Sequence, residues 1–203
     1  FGMKREQLFV MKQDVVPSVI NLEGELAVSP DGHLICKPHG HGDVHLCIYR
    51  DGIMDKWIHQ FSVRRLFFFQ DTNALSFYTM ACSAAIAERE NAHMLSTCVR
   101  RRPHEASGAL CHLRHEDGRE LVCNVEYNQL EDFLKVIDPR GDFPDDAGFS
   151  PFPGNSNILS FNAFDYASLL SQSHGIVPEF VNPKYRPGSR TEYLQPVRLE
   201  SMM

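Results

Sequence analysis

The densest group of chemically capable side chains is His39-Gly40-His41-Gly42-Asp43-Val44-His45. Three histidines and an aspartate so close together have the ingredients of a zinc hydrolase site, with His39, His41 and His45 as ligands. The fit is imperfect. Such a motif places its last histidine directly after the aspartate, whereas Val44 intervenes here, and no later His or Asp segment completes the set. The two glycines favour a nucleotide-contacting loop, because they let backbone N–H groups approach a flat base or a phosphate closely, with a histidine as an added donor. A second polar group, Gln70-Asp71-Thr72-Asn73, directly follows an apolar run. Asp71 is a natural ligand for Mg²⁺, which takes one or two carboxylates and completes its shell with phosphate oxygens and water. The alternative for Asp71, Thr72 or Asn73 is a helix N-cap. Lys184 is a candidate to neutralise the same phosphates, or else a solvated lysine. The run Arg100-Arg101-Arg102 reads as a solvated basic turn. No Ser/His/Asp or Cys/His arrangement stands out, and there is no P-loop or G-x-G-x-x-G. Phosphoryl chemistry on nucleotides fits that absence, since it needs positioning and charge neutralisation more than a nucleophilic side chain.

These residues must be held by elements that the sequence marks only in outline. Residues 8–11 read as a short strand ending at Lys12-Gln13, and Ser29-Pro30-Asp31-Gly32 as the turn of a hairpin. The loop 37–43 leads into two short helices, one from Asp43 to Arg50 and one from 53 to 60. Residues 65–69 are apolar without alternation, which predicts a strand covered on both faces in a largely parallel sheet. A helix over 74–88, a strand over 93–99 and a hairpin of 109–115 with 119–125 follow. Residues 138–153 are a loop, 160–173 have helical spacing with Phe161, Phe164, Ala167 and Leu169 on the buried face, and 180–183 form a strand stopped by Pro183. The fold class expected is α/β, with a mixed, mostly parallel central sheet, flanking helices and inserted β-hairpins. Polar residues just past the ends of buried strands are where such sheets bind ligands. Lys12-Gln13, Gln70–Asn73 and Glu126-Tyr127-Asn128 fit that description.

The 203 residues carry a net charge of -6, which argues against a nucleic-acid partner. No run approaches the ~20 apolar residues that span a bilayer, and no signal peptide is visible. The six cysteines form no C-x-x-C pair and read as buried free thiols. A cytoplasmic setting is expected. Both ends read as cut from something larger.

The motifs acquire a family when taken together. Lys37-Pro38-His39-Gly40-His41-Gly42-Asp43-Val44-His45, Phe68-Phe69-Gln70-Asp71-Thr72-Asn73, Asn124-Val125-Glu126-Tyr127-Asn128-Gln129-Leu130, Ser150-Pro151-Phe152-Pro153-Gly154-Asn155-Ser156-Asn157, Glu179-Phe180-Val181-Asn182-Pro183-Lys184-Tyr185 and Arg198-Leu199-Glu200 stand in this order. In order and spacing the chain resembles the UDP-sugar pyrophosphorylases over nearly its whole length. Related UDP-glucose pyrophosphorylases carry a Pro-Gly-His-Gly version of the first motif, and UDP-N-acetylhexosamine pyrophosphorylases one that contains Asn. The version here looks like that of the broad-specificity enzymes.

The resemblance implies part of a glycosyltransferase-A-like nucleotidyltransferase core, with residues 1–203 lying within a single catalytic domain. It implies that Gln13 recognises uracil, that Gly40 and its backbone lie against the base, and that His41 sits near the phosphates or the sugar. Asp71 is then the Mg²⁺ ligand, Lys184 a phosphate contact, and Glu126, Asn128, Asn155 and Asn157 hydrogen-bond sugar hydroxyls. The implied reaction joins UTP and a sugar 1-phosphate into a UDP-sugar, releasing pyrophosphate, in a monomer. The family's upstream Gly-rich nucleotide loop and its C-terminal β-helix-type domain are not in this sequence, so this piece alone is expected to be inactive. The rival expectations are a narrow UDP-glucose pyrophosphorylase, a non-catalytic UDP-sugar binding module and the zinc hydrolase above.

Overall fold

Apolar stretches bounded by Pro, Gly and Asp set most of the elements. The computed structural model describes residues 2–181 and 183–201 as a mixed α/β fold of two compact units, Phe1–Val63 with Phe164–Met203, and Arg64–Ala163. The first unit begins with a single 3-10 turn at Arg5–Gln7. Strand β1 (Val15–Asn21) then pairs antiparallel with β2 (Cys36–Pro38), Val15 opposite Pro38. The Pro-Asp turn between them forms as expected, with Gly32 N–H donating to Ser29 O at 2.9 Å. Its arms meet at the isolated bridge Val28–Leu34, beside which Ile35 N–H donates to Ala27 O at 2.9 Å, and Leu26 bridges to Val19 of β1. Helices α1 (Asp43–Arg50) and α2 (Ile53–His59) lie where expected. Helix α1 buries Cys47 and Ile48, and its Asp43 and Arg50 stand at the ends that complement its dipole.

The second unit runs β3 (Arg65–Phe68), α3 (Ser76–Arg89), β4 (Met94–Val99), β5 (Ala109–Arg114), β6 (Glu120–Val125), α4 (Tyr127–Lys135) and β7 (Gly154–Asn162). Strand β4 follows β7 from Met94 opposite Phe161 to Val99 opposite Gly154. On the other edge, β3 pairs with 159–162 and β5 meets Gly154 through Ala109. Strand β6 closes the β5 hairpin. Ala109, Cys111, Leu130 and Leu134 form a small core between that hairpin and α4. The chain returns to the first unit through α5 (Ala163–Ser173), β8 (Glu179–Phe180), β9 (Glu192–Arg198) and β10 (Glu200–Ser201). Strand β9 pairs with β1, and β10 pairs with β8.

Several expectations are corrected. Every strand pair among the described residues is antiparallel, so the mostly parallel sheet is not found. Strands β3 and β4, joined by α3, do run in the same direction, but β7 arrives from later in the chain and lies between them. The apolar run of β3 reported coverage, not direction. No strand forms at 8–11. The Lys12 carbonyl is taken by Cys47 Sγ at 3.7 Å and Arg50 Nη2 at 3.3 Å, side chains of α1 rather than a strand ladder. Residues 160–162 belong to β7, and the buried face of α5 is Ala163, Tyr166 and Leu170, not Phe164 and Leu169. All six cysteines are free, yet only Cys47 and Cys111 are buried. The expected strand 180–183 falls partly on Asn182, which lies outside the described residues. No helix among the described residues is long and apolar enough to cross a membrane.

Arg101 is also unlike its reading as a solvated basic turn. It is 1% exposed and pairs through Nη2 with Asp142, itself 3% exposed. Such a pair is expensive to desolvate and holds only with further hydrogen bonds. Asp142 receives them from Ser150 Oγ at 2.6 Å and His104 N–H at 3.2 Å. Ser150 N–H donates in turn to Arg101 O at 2.9 Å. The long loop before β7 is thereby tied to the segment after β4.

Candidate functional site

In the first unit the loop 39–42 crosses from β2 to α1 pressed against β10. Ser201 N–H donates to His39 O at 3.0 Å, and Gly42 N–H donates to Ser201 O at 3.1 Å. Gly40 lies between them with φ +125°, and a Cβ there would come within 2.5 Å of Ser201 O. Its N–H donates to Gln13 Oε1 at 3.2 Å. Because an N–H can face only the amide oxygen, this bond also fixes the orientation of the Gln13 amide and leaves Nε2 as its donor for a ligand. Met11, Gln13, Gly40, His41, Val44 and Cys47 line a depression of ≈ 230 Å³. The structure thus brings Gln13, Gly40 and His41 together.

His39 and His45 have separate partners. His39 Nδ1 lies 3.0 Å from Asp43 Oδ1. On the other side of its ring, Nε2 is 2.7 Å from Glu179 Oε1, an ion pair whenever the ring carries its second proton, though not an aligned hydrogen bond. His45 Nδ1 meets Tyr166 OH at 2.7 Å. Burial first, and then the nearby His41, hold His45 below its ordinary pKa. Burial pushes the Tyr166 phenol up. Among the described residues no three His, Cys, Asp or Glu side chains gather as a metal group. Asp43 is the first residue of α1 and is buried, accepting from Asp14 N–H at 3.3 Å. Lys184 lies beside β9, its carbonyl accepting from Leu194 N–H at 2.7 Å, and its exposed side chain is not part of the depression.

In the second unit a bulge shapes β7. Thr97 pairs with Ile158 but the next residue, Cys98, pairs with Asn155, so Ser156 and Asn157 are extra. Ser156 Oγ donates to Thr97 O at 2.5 Å, and Asn157 takes φ +57°. Asparagine tolerates that left-handed conformation better than most residues, and bulges of this kind re-aim side chains. Asn155 Nδ2 donates to Asn124 Oδ1 at 3.2 Å, and Asn124 Nδ2 to Glu126 Oε1 at 2.7 Å. Glu126 and Asn155 are therefore joined through Asn124. Asn128, exposed on the first turn of α4, is joined to neither among the described residues.

Asp71 sits exposed in the turn that follows β3, with no side-chain hydrogen bond or ion pair among the described residues. It caps nothing, because α3 starts at Ser76 without a side-chain cap. A single unengaged carboxylate suits Mg²⁺, a hard cation that draws most of its oxygens from phosphate and water.

Sequence reasoning missed Asn124, Glu179 and Ser201 as parts of these clusters. Only Asn124 carried a signal: it stands two residues before Glu126, the spacing that puts strand residues on one face.

No family model matches the chain. A UDP-sugar pyrophosphorylase of Arabidopsis thaliana is 40% identical over 206 residues, covering 100% of this chain and 33% of that protein. This chain therefore spans about a third of the length of the curated relatives it matches. A UDP-N-acetylglucosamine pyrophosphorylase of Trypanosoma brucei, solved with an inhibitor, matches with a TM-score of 0.69 at 18% identity, over 99% of this chain and 38% of that one. A mutant UDP-glucose pyrophosphorylase of Leishmania major, in complex with UDP-glucose, matches with a TM-score of 0.63 at 19% identity, over 93% and 40%. The two structures establish a shared fold, and the Arabidopsis protein a shared sequence.

Proposed function

We propose, on the premise that this chain corresponds end to end to a third of a UDP-sugar pyrophosphorylase, that its protein is a uridylyltransferase making UDP-sugars from UTP and sugar 1-phosphates. The observation that carries the reading is the Gln13–Gly40 pair. It supports a base pocket, because Gln13 Nε2 is a fixed donor on a depression of suitable size and uracil O4 is an acceptor.

The reaction is a displacement at the α-phosphorus of UTP. An anionic oxygen of the sugar 1-phosphate forms the new P–O bond, the bond to the bridging oxygen breaks, and pyrophosphate leaves with its electron pair. No proton has to be removed from the attacking oxygen, so the site needs no general base. Its work is orientation. Gln13 and the Gly40 backbone hold uracil, and His41 stands on the rim of the same depression, where the phosphates or the sugar follow the base. Glu126, Asn128, Asn155 and Asn157 take sugar hydroxyls, and Lys184 places a positive charge at phosphate. Asp71 would hold Mg²⁺, which neutralises phosphate charge when bound. The fold likeness supports a nucleotidyltransferase core of the glycosyltransferase-A kind, with this chain forming part of one catalytic domain. Tolerance of several sugars, glucose and galactose among them, and action as a cytoplasmic monomer complete the reading.

Replacing Gln13 in the complete protein tests it. Gln13→Ala should raise the KM for UTP about tenfold and narrow the preference for UTP over CTP, whose 4-amino group cannot accept from Nε2, by ~1–3 kcal/mol. Unchanged UTP kinetics and unchanged selectivity would remove Gln13 from the base pocket.

A further inference from the structure

Asn124 touches two of the residues placed at the sugar, and its bonds have a single direction. Asn157 N–H donates to Asn155 Oδ1 at 2.9 Å, Asn155 Nδ2 to Asn124 Oδ1 at 3.2 Å, and Asn124 Nδ2 to Glu126 Oε1 at 2.7 Å. The file starts at a backbone N–H, which can only donate. It ends on a carboxylate, which only accepts when ionised. Neither amide between them can flip without setting two donors or two acceptors face to face. Asn155 is further fixed by its own N–H, which donates to Gly108 O at 2.8 Å. Asn124 and Asn155 are thus locked in one orientation each, and the Glu126 carboxylate is held at one oxygen by a bond to a charged acceptor.

We propose that Asn124 is a positioning and specificity-determining residue, which spends Glu126 Oε1 and so presents Oε2 as a single acceptor for one sugar hydroxyl. The inference rests on the placing of Glu126 and Asn155 at the sugar. Glu126 Oε2 has no partner among the described residues, and one Nδ2 hydrogen of Asn155 is also unspent. Sugars that differ in the orientation of a hydroxyl are then distinguished by whether they can donate to a carboxylate oxygen that cannot turn. Without Asn124 the Glu126 side chain regains its rotamers and offers either oxygen in several positions.

The test uses the complete protein with UTP and the 1-phosphates of glucose and galactose. Asn124→Ser removes both bonds without adding charge. It should raise the KM for the sugar 1-phosphate about tenfold, leave the KM for UTP within about twofold, and compress the ratio of kcat/KM between the two sugars. Asn124→Asp sets a second carboxylate against Glu126 and should be worse. Combining it with Glu126→Gln restores the bond with donor and acceptor exchanged, so the double variant should bind sugar no worse than Glu126→Gln alone, a non-additivity specific to residues acting through one another. A sugar KM unchanged in Asn124→Ser, or strictly additive effects in the cycle, or equal rises in both KM values together with a lowered Tm, would overturn the proposal in an active wild-type enzyme. A wild type that does not consume UTP with either sugar would overturn the functional reading itself.

Discussion

In the complete protein, Asp71→Asn should fold with an unchanged Tm and lose about two or more orders of magnitude in kcat. The two halves of that expectation come from different observations. Stability should hold because Asp71 is exposed in the turn after β3, bonds to no side chain among the described residues, and does not cap α3. A lost cap would have cost ~1 kcal/mol, and here there is none to lose. Turnover should fall because an amide keeps the shape of the carboxylate but lacks the charge that a hard divalent cation requires. Charge neutralisation at the α-phosphate contributes several kcal/mol to the transition state in reactions of this kind. The variant should also need more Mg²⁺ for half-maximal rate. Near-normal turnover at ordinary Mg²⁺ would leave Asp71 as a surface residue of the turn.

Gly40→Ala should cost far more stability than the same methyl group added at a glycine in an open turn. A side chain at φ +125° is strained by ~1–3 kcal/mol, and its Cβ would meet the Ser201 carbonyl oxygen at 2.5 Å. That oxygen is backbone and already accepts from Gly42 N–H, so it cannot swing aside as a flexible side chain would. Overpacking of this sort costs a further ~1–3 kcal/mol, giving roughly 2–6 kcal/mol in all, a large share of the stability of an ordinary domain. Gly32→Ala is the control. Gly32 has φ +81° with nothing within 4 Å of a built Cβ, so only the backbone cost of ~1 kcal/mol applies. Denaturant unfolding of both variants measures the difference. Equal stabilities for the two would show that the loop is not clamped by β10. The glycine at position 40 is thus explained by a strand edge behind the loop, while its N–H is bonded to Gln13 Oε1.

The sequence disclosed elements whose signals are local. Helices α1 and α2, strand β4 and the β5–β6 hairpin were legible because caps, glycines and apolar spacing lie within the element itself. Strand β7 was not, since its first residues, Gly154-Asn155-Ser156-Asn157, are polar and bulged, and its apolar part runs directly into α5. Strands β1 and β9 each contain a proline, which masked them. Helix α4 was hidden for another reason, its polar first turn having been read only as a strand end. The strand directions were also beyond local reading, because β3 and β4 are separated by a strand from later in the chain. At the site, Asp71 and the glycine loop could be selected from residue type and position. Gln13 was selected beside a strand that does not exist, and its bond to Gly40 could not be foreseen from 27 residues away. Arg101 shows the limit of composition: three arginines in a row looked solvated, and the middle one is among the most buried side chains.

The most direct measurement is a ³¹P NMR time course of the complete protein with UTP, glucose 1-phosphate and Mg²⁺. The account predicts that the α-phosphorus of UTP and the phosphorus of the sugar phosphate disappear together, and that one UDP-sugar forms for each pyrophosphate. Release of UMP, UDP or inorganic phosphate without UDP-sugar would make the protein a hydrolase, and bound but unconsumed UTP would make it a binding module; either result would contradict the account.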